Sequence, residues 1–255
     1  MVTDARPPLL PVDGLRTELH ATSLALLLTL LSARSLDGVD PDVAQLAGDE
    51  RALTDGRARL VAQGLAVEEP DGLDIDPRIV YLVAVAADPE ATLRVATHDG
   101  SATYHSANGQ LVEIVQRDDG YEFAGLTDPS AIVHLLDDAG ARCPAGAPIG
   151  GPIAVIRDEF AGSLREPARL AELLAEAGCD DGAAAAAADR LQLPPLWIVQ
   201  ASRGRARFEA AAYDHPAGLV SSLDGVTVVV EPWTPTRATD LVTAAVEQTI
   251  ARRRR

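Results

Sequence analysis

The feature that most constrains the fold of this sequence is an internal duplication. Strand-like segments separated by short turns occur twice, at about 93–126 and 196–231, and each set precedes a segment that begins with proline. The turn glycines Gly100 and Gly204 are 104 residues apart, and the helix-initiating prolines Pro129 and Pro235 are 106 apart. Short Gly-containing turns between such segments are typical of β-hairpins. The pattern predicts two copies of one module, each with four antiparallel strands and a helix.

The predicted cross-strand pairs agree with this duplication. If each first turn has two residues, Val95 faces Tyr104 in the first hairpin and Val199 faces Phe208 in the second. A β-branched residue opposite an aromatic ring is a favourable cross-strand pair. We therefore expect an α+β fold of two pseudo-symmetric antiparallel sheet-plus-helix modules, related by a pseudo-two-fold axis.

The chain is predicted to divide into an N-terminal half, 1–140, and a C-terminal half, 153–255. The segment between them, 141–152, is rich in Gly and Pro and is interpreted as a linker. In the C-terminal half, helices are expected from Pro167 and around the alanine run 183–188, whereas 153–160 fits either a strand or a short helix.

The N-terminal half begins with helical segments. Helical spacing of apolar residues predicts a helix over 15–33 and a second over 48–63, which Gly64 would end in the left-handed conformation. A hairpin at 65–75 follows, and Pro77 begins another helix. A helix followed by a short hairpin is the outline of a winged-helix element, so a DNA-binding regulator is one hypothesis.

Charge argues against a nucleic-acid partner. The 255 residues include 38 acidic and 22 basic side chains, a net charge of −16, and residues 1–140 alone carry −15. Arg51, Arg57 and Arg59 would lie on the candidate recognition helix, but a field of this sign repels phosphate. A structural winged helix is therefore favoured, and DNA binding is kept as an alternative.

The residue types also exclude several kinds of chemistry. All the basic residues are Arg and none is Lys, so the sequence has no Walker-type phosphate loop, kinase ATP site or Schiff-base lysine. Cys143 and Cys179 lack metal-ligand spacing, which fits a reduced, cytoplasmic setting. The longest apolar stretch, 21–31, is about half of a membrane span, so no membrane insertion is expected.

No catalytic, metal or cofactor site is predicted. His98 and His105 would lie several residues apart on the predicted hairpin, too far to share one metal ion, and the histidines are expected to be exposed or half-buried. Most carboxylate pairs fall in turns or at helix ends, where Asp hydrogen-bonds the local backbone. The prediction is a protein that is not an enzyme, with a small-molecule-binding α+β domain as a further alternative.

The predicted architecture resembles the EspG family, the cytosolic chaperones of type VII (ESX) secretion. The resemblance depends on the duplicated module, the Leu-rich opening helix, the helix–hairpin segment 51–75 and the final amphipathic helix 235–250. Within the helix–hairpin segment, residues 59–65 have the sequence Arg-Leu-Val-Ala-Gln-Gly-Leu.

The resemblance implies a non-enzymatic, cytoplasmic protein that binds the apolar tip of a helical PE–PPE-like substrate or heterodimer and keeps it soluble for export. By the same analogy the contact surface would include the loop between the second and third strands of the first module, with Ala107, Asn108 and Gly109, together with the C-terminal half. That half carries a net charge of only −1 over residues 141–255, which suits an apolar partner.

Overall fold

The structure, a computed structural model, describes residues 12–97, 100–126, 152–213, 218–222 and 225–232, together with isolated positions between 234 and 244. The chain divides into two compact units, Met1–Glu90 with Ala102–Asp128 and Ala91–Ser101 with Pro129–Arg255. The sequence-based limits 1–140 and 153–255 stay a prediction. The predicted helix after Pro129 and residues 141–151 of the predicted linker lie outside the described residues.

The elements are numbered in chain order. The described strands are β1 Arg16–His20, β2 Ala66–Glu69, β3 Gly72–Ile75, β4 Ala91–Thr97, β5 Gly100–Ala107, β6 Gln110–Arg117, β7 Gly120–Leu126, β8 Ile153–Ile156, β9 Trp197–Arg203, β10 Ala206–Ala212, β11 Leu219–Ser222 and β12 Thr227–Glu231. The described helices are α1 Ala21–Leu30, α2 Pro41–Leu46, α3 Glu50–Ala62, α4 Pro77–Ala87, α5 Arg157–Ser163, α6 Pro167–Glu176 and α7 Asp181–Leu191. Mixed helices and antiparallel strands confirm the predicted α+β class.

The first unit contains an antiparallel sheet in the order β1-β7-β6-β5. Its hairpins pair Ala107 with Gln110 and Arg117 with Gly120, so both turns have two residues. One face of this sheet packs against α1 and α4 through a buried apolar core that includes Leu27, Leu82 and Phe123.

The prediction of one helix over 15–33 is wrong at its start, because β1 occupies residues 16–20. Thr17 pairs with Phe123 of β7, and α1 begins directly after β1. Along β1, exposed Arg16 and Glu18 alternate with buried Leu19. This five-residue alternation lies inside a longer window with helical spacing, and the pairing with β7, about a hundred residues away, determines that it is a strand.

The helix–hairpin outline is confirmed as local structure. Helix α3 ends before Gly64, which has φ +71°, and the hairpin β2–β3 follows with Ala66 opposite Ile75. The connection before α3 contains α2, a short helix that the sequence interpretation treated only as a Pro-containing break. Pro41 is at the first position of α2, where its missing N–H costs no hydrogen bond.

The second unit contains a sheet in the order β4-β9-β10-β11-β12-β8. At its β4–β9 contact the paired residues are Leu93 with Ala201, Val95 with Val199 and Thr97 with Trp197. The predicted offset of 104 residues carries Val95 onto Val199, the residue that it faces. A two-fold rotation that places β4 on β9 therefore also places β9 on β4 and keeps the same pairs. The local two-fold axis passes between Val95 and Val199.

The predicted register of the β9–β10 hairpin is wrong by two residues. Arg203 pairs with Ala206, so the turn is Gly204–Arg205, and Val199 faces Ala210 instead of Phe208. Gly204 is therefore the first central residue of the turn, and its φ of +57° is one that glycine adopts at little cost. The prediction had placed it second. The expected pair of Val95 and Tyr104 stays a prediction.

Each unit also has a strand beside the last strand of its module. In the first unit β1 pairs with β7, and in the second β8 pairs with β12 through Val155 and Val228. Both strands lead directly into a helix, α1 and α5 respectively. The segment 153–160 is therefore both a strand and the beginning of a short helix, so each of the two alternatives left open by the sequence is correct for part of it.

Helices α5, α6 and α7 cover one end of the second sheet. Their core consists of apolar residues from the helices and from β8, β11 and β12, with Phe160, Leu170 and Leu174 among them. The alanine run is helical, as predicted, in α7. In the predicted helix from Pro235, the described residues Thr236, Arg237, Asp240, Leu241, Thr243 and Ala244 are helical.

Candidate functional site

The predicted partner-binding residues Ala107, Asn108 and Gly109 lie at the turn between β5 and β6. Asn108 has φ +50° and Gly109 has φ +78°, the left-handed conformations that a two-residue hairpin turn of this kind requires. Asn and Gly are the residues that adopt them at least cost. The predicted location of the loop, between the second and third strands of the first module, is correct.

Glu90 anchors this turn. Its Oε1 accepts a hydrogen bond from the backbone N–H of Asn108 at 3.2 Å. Its own N–H donates to the carbonyl oxygen of Ser106 at 2.8 Å. Sequence reasoning missed Glu90, because a contact across 18 residues with a turn backbone has no local signal.

The three predicted residues offer different chemistry to a partner. Ala107 is buried, with 3% of its surface exposed, so its side chain offers little surface to a partner. Gly109 has no side chain, whereas Asn108 is exposed and presents an uncharged amide that both donates and accepts hydrogen bonds. Contact with a partner at this turn stays a prediction.

The second unit exposes apolar side chains at one place in its sheet. Ile156 at the end of β8 and Val226 just before β12 are 54% and 65% exposed. Their backbones are adjacent, because Ile156 pairs with Thr227 and the N–H of Arg157 donates to the carbonyl oxygen of Val226 at 2.8 Å. Directly paired residues share a face of the sheet, so the Ile156 side chain lies on the face of Thr227. Sequence reasoning did not single out this pair, since exposure of an apolar residue depends on what packs against it.

Two arginines of the candidate recognition helix, Arg57 and Arg59, make contacts within the first unit. Arg57 donates to Oε1 of Glu68 at 2.9 Å and to the carbonyl oxygen of Gly72 at 3.1 Å, which ties α3 to the hairpin. Arg59 donates to Oδ2 of Asp55 at 2.7 Å, and this hydrogen bond is the main cause that lowers the pKa of the Asp55 carboxyl. Both guanidinium groups are thus partly neutralised by carboxylates.

Two histidines lie in the part of the chain that the structure describes. His20 caps α1, since its Nδ1 accepts from the N–H of Thr22 at 3.3 Å. His105 is fully buried, which corrects the expectation that the histidines are exposed or half-buried. Its side chain shares the core-facing side of β5 with Thr103 and Ala107. His98, His134 and His215 lie outside the described residues.

Cys179 is a buried free thiol in the second unit. Burial, together with the nearby charges of Asp180 and Asp181, raises its pKa above the ordinary value, so the reactive thiolate is disfavoured. Within the described ranges, no group of three or more His, Cys, Asp or Glu side chains is arranged to hold a metal ion.

A separate question is whether any helix could cross a membrane. Among the helices in the described part of the chain, none is both long enough and apolar enough to do so.

Comparison with known proteins gives a match of fold. No family model matches the sequence, and no curated protein matches it. Among solved structures, the chain is similar to the Mycobacterium tuberculosis type VII secretion system chaperone EspG5, solved in complex with the PE25–PPE41 dimer. The sequence identity is 15% and the TM-score is 0.60, and the match covers 92% of this chain and 96% of that chain. The resemblance to the EspG family is thereby confirmed as one of fold, and this chain folds like EspG5.

Proposed function

We propose that this protein is a cytoplasmic, non-enzymatic chaperone that binds a helical, PE–PPE-like substrate of type VII secretion and keeps it soluble for export. The observation that carries the proposal is the fold match to EspG5 over nearly the whole length of both chains. That neighbour is a type VII secretion system chaperone, solved in complex with the PE25–PPE41 dimer.

The surface chemistry fits such a role. An exposed apolar tip on a helical substrate aggregates unless another surface covers it. The second unit has exposed apolar residues at Ile156 and Val226, and residues 141–255 are close to neutral, at −1. Residues 1–140 carry −15, a charge that favours solubility while a substrate is bound.

Co-expression with candidate substrates, followed by size-exclusion chromatography, tests the proposal. We expect a stoichiometric complex that survives about 0.5 M salt, where the Debye length is about 4 Å and surface charge pairs are screened. Apolar contacts of standard interface size change little with salt. Failure of every helical substrate to co-elute, or dissociation at that salt concentration, would contradict the proposal.

Charged substitutions locate the contact surface. Ile156→Asp places a charge in the proposed apolar contact, and we expect it to weaken binding about tenfold or more, a loss of ~1.4 kcal/mol. Asn108→Asp keeps a residue that tolerates positive φ, and we expect a loss of about threefold or less because this exposed side chain is already polar and stays hydrated. Leu30→Asp, at a site that is 59% exposed in the first unit, is the matched control, and we expect it to leave the affinity unchanged. A larger effect of Asn108→Asp than of Ile156→Asp, measured by titration calorimetry, would show that the turn contributes more to binding than the exposed residue of β8.

The winged-helix alternative is opposed by the charges around α3. Arg57 and Arg59 bind Glu68 and Asp55, and the hairpin that would contact DNA is acidic. We therefore expect no nanomolar binding to mixed-sequence duplexes in a gel-shift assay at physiological salt. Tight, salt-sensitive binding would favour the regulator instead.

A further inference from the structure

The segment between α1 and α2, residues 32–40, is held on the first sheet by His105. Nε2 of His105 lies 3.0 Å from the carbonyl oxygen of Asp37. A carbonyl oxygen can only accept a hydrogen bond, so Nε2 carries the proton and donates it. The two residues are 68 positions apart, and the bond joins the middle of the segment to β5.

Two further contacts place the same segment against the sheet. Gly38 has φ +85° and packs so closely on β5 that a Cβ atom there would lie 2.3 Å from Oγ1 of Thr103. The N–H of Asp40 donates to the hydroxyl of Tyr121 on β7 at 3.0 Å. Three side chains of the sheet, those of Thr103, His105 and Tyr121, therefore contact residues 37–40 of this segment.

No described residue accepts a hydrogen bond from a second proton on the His105 ring. Nδ1 is buried and has no hydrogen-bond partner among the described residues. A proton there would create a buried N–H without an acceptor as well as a buried positive charge. Burial accordingly lowers the pKa of His105 below the ordinary value, and the contact with Asp37 opposes this only in part.

The charged and titratable groups around the ring are few. The segment itself carries Arg34, Asp37 and Asp40, and of these Asp37 acts on the ring electrostatically. The neighbouring strands contribute Val112, opposite His105 on β6, and Tyr121 on β7. Helices α1 and α4 pack on this face of the sheet. They contribute apolar residues and one titratable group, the half-buried Tyr81 of α4.

We propose that His105 is a proton-sensitive latch: the neutral ring holds residues 32–40 closed on the sheet, and proton uptake in mild acid releases the segment. An opened segment exposes the ring, which then has the ordinary pKa of about 6.5. Because the open state binds a proton more readily than the closed state, the closed state loses stability as the pH falls below that value. The latch goes beyond the proposed chaperone function and does not depend on it.

Native-state hydrogen exchange of the Val39 and Asp40 amides, corrected for intrinsic rates, measures the opening constant. From pH 7.5 to 5.5 we expect it to rise about tenfold, the one-proton limit for a group of ordinary pKa about 6.5. Carboxylates with an ordinary pKa near 4 titrate little in this window. His105→Gln keeps an N–H donor that does not titrate, so the rise disappears, whereas His20→Gln is the matched control and retains it.

A flat opening constant in the unmodified protein, or the same tenfold rise in His105→Gln, would overturn the latch. If His105→Gln folds poorly, NMR titration of the unmodified protein decides the question. We expect the His105 ring signals to titrate below pH 6.5, and a midpoint at or above that value would overturn the proposal.

Discussion

The helix pairs α1–α3 and α6–α7 bury their contact surfaces with different residues. Helix α1 contributes fully buried leucines, and α3 meets it at Gly56, where a Cβ atom would lie 2.3 Å from the carbonyl oxygen of Thr22. Helix α7 instead presents a buried stripe of small residues, including Ala184 and Ala187, that packs with α6. The close approach thus depends on one glycine in the first unit and on several alanines in the second.

This difference has an energetic consequence. At Gly56 the backbones of α1 and α3 are in direct contact, so an added methyl group can be accommodated only if one of the two helices moves. Where alanines share the contact, an added group displaces side chains first. Large side chains such as the α1 leucines carry the opposite risk, because their removal leaves a cavity.

The largest expected effect in this comparison is that of Leu27→Ala in α1. Leu27 is fully buried, so truncation removes apolar contacts and leaves a cavity, and the free energy of unfolding falls by about 2–5 kcal/mol. Leu30→Ala, at a side chain that is 59% exposed on the same helix, changes it by about 0.5 kcal/mol or less. Urea denaturation measures both variants. Equal midpoints would show that burial of Leu27 does not contribute to the stability of the first unit.

Gly56→Ala tests the close contact between α3 and α1. The methyl group would overlap the Thr22 carbonyl, so stability falls by about 2–3 kcal/mol although Ala is the better helix former. Gly162→Ala in α5 is the matched control, because nothing lies within 4 Å of its Cβ position. There the same change adds about 0.5–1 kcal/mol. A gain in melting temperature for both variants would contradict the close crossing.

Ala187→Leu tests whether the contact between α6 and α7 accommodates a larger side chain at lower cost than the contact at Gly56 does. The buried site has no room for the longer side chain, and we expect a loss of about 1–2 kcal/mol, less than for Gly56→Ala. Ala186→Leu on the exposed side of α7 changes stability by about 0.5 kcal/mol or less. Thermal denaturation of the two variants side by side separates overpacking from helix propensity. A cost for Ala187→Leu above that of Gly56→Ala would refute the contrast between the pairs.

The smallest effect concerns how α7 begins. Oδ1 of Asp180 accepts from the N–H groups of Gly182 and Ala183 at 3.0 and 3.3 Å, and its removal in Asp180→Ala costs about 1 kcal/mol. Asp180→Asn keeps the capping oxygen and most of the stability. If chemical denaturation gives the two variants the same midpoint, the cap does not stabilise this helix.

Features that depend on a few neighbouring residues could be predicted from the sequence. The prolines at the starts of α4 and α6, the helical alanine run of α7 and the left-handed Gly64 after α3 are of this kind. The candidate loop at 107–109 was placed correctly because hairpin turns have a local pattern. Its anchor, Glu90, was not found, because it reaches the turn only when the chain has folded.

The class of fold, most helices and the approximate places of the hairpins were therefore predictable from the sequence, since proline geometry and glycine φ act within a few residues. Three features depend on packing between distant segments: residues 16–20 form a strand, the β9–β10 turn begins at Gly204, and His105 reaches Asp37. A five-residue alternation fits more than one structure, and a hairpin register can slip without changing the local pattern. The bond between His105 and Asp37 joins residues 68 positions apart, and packing brings them together.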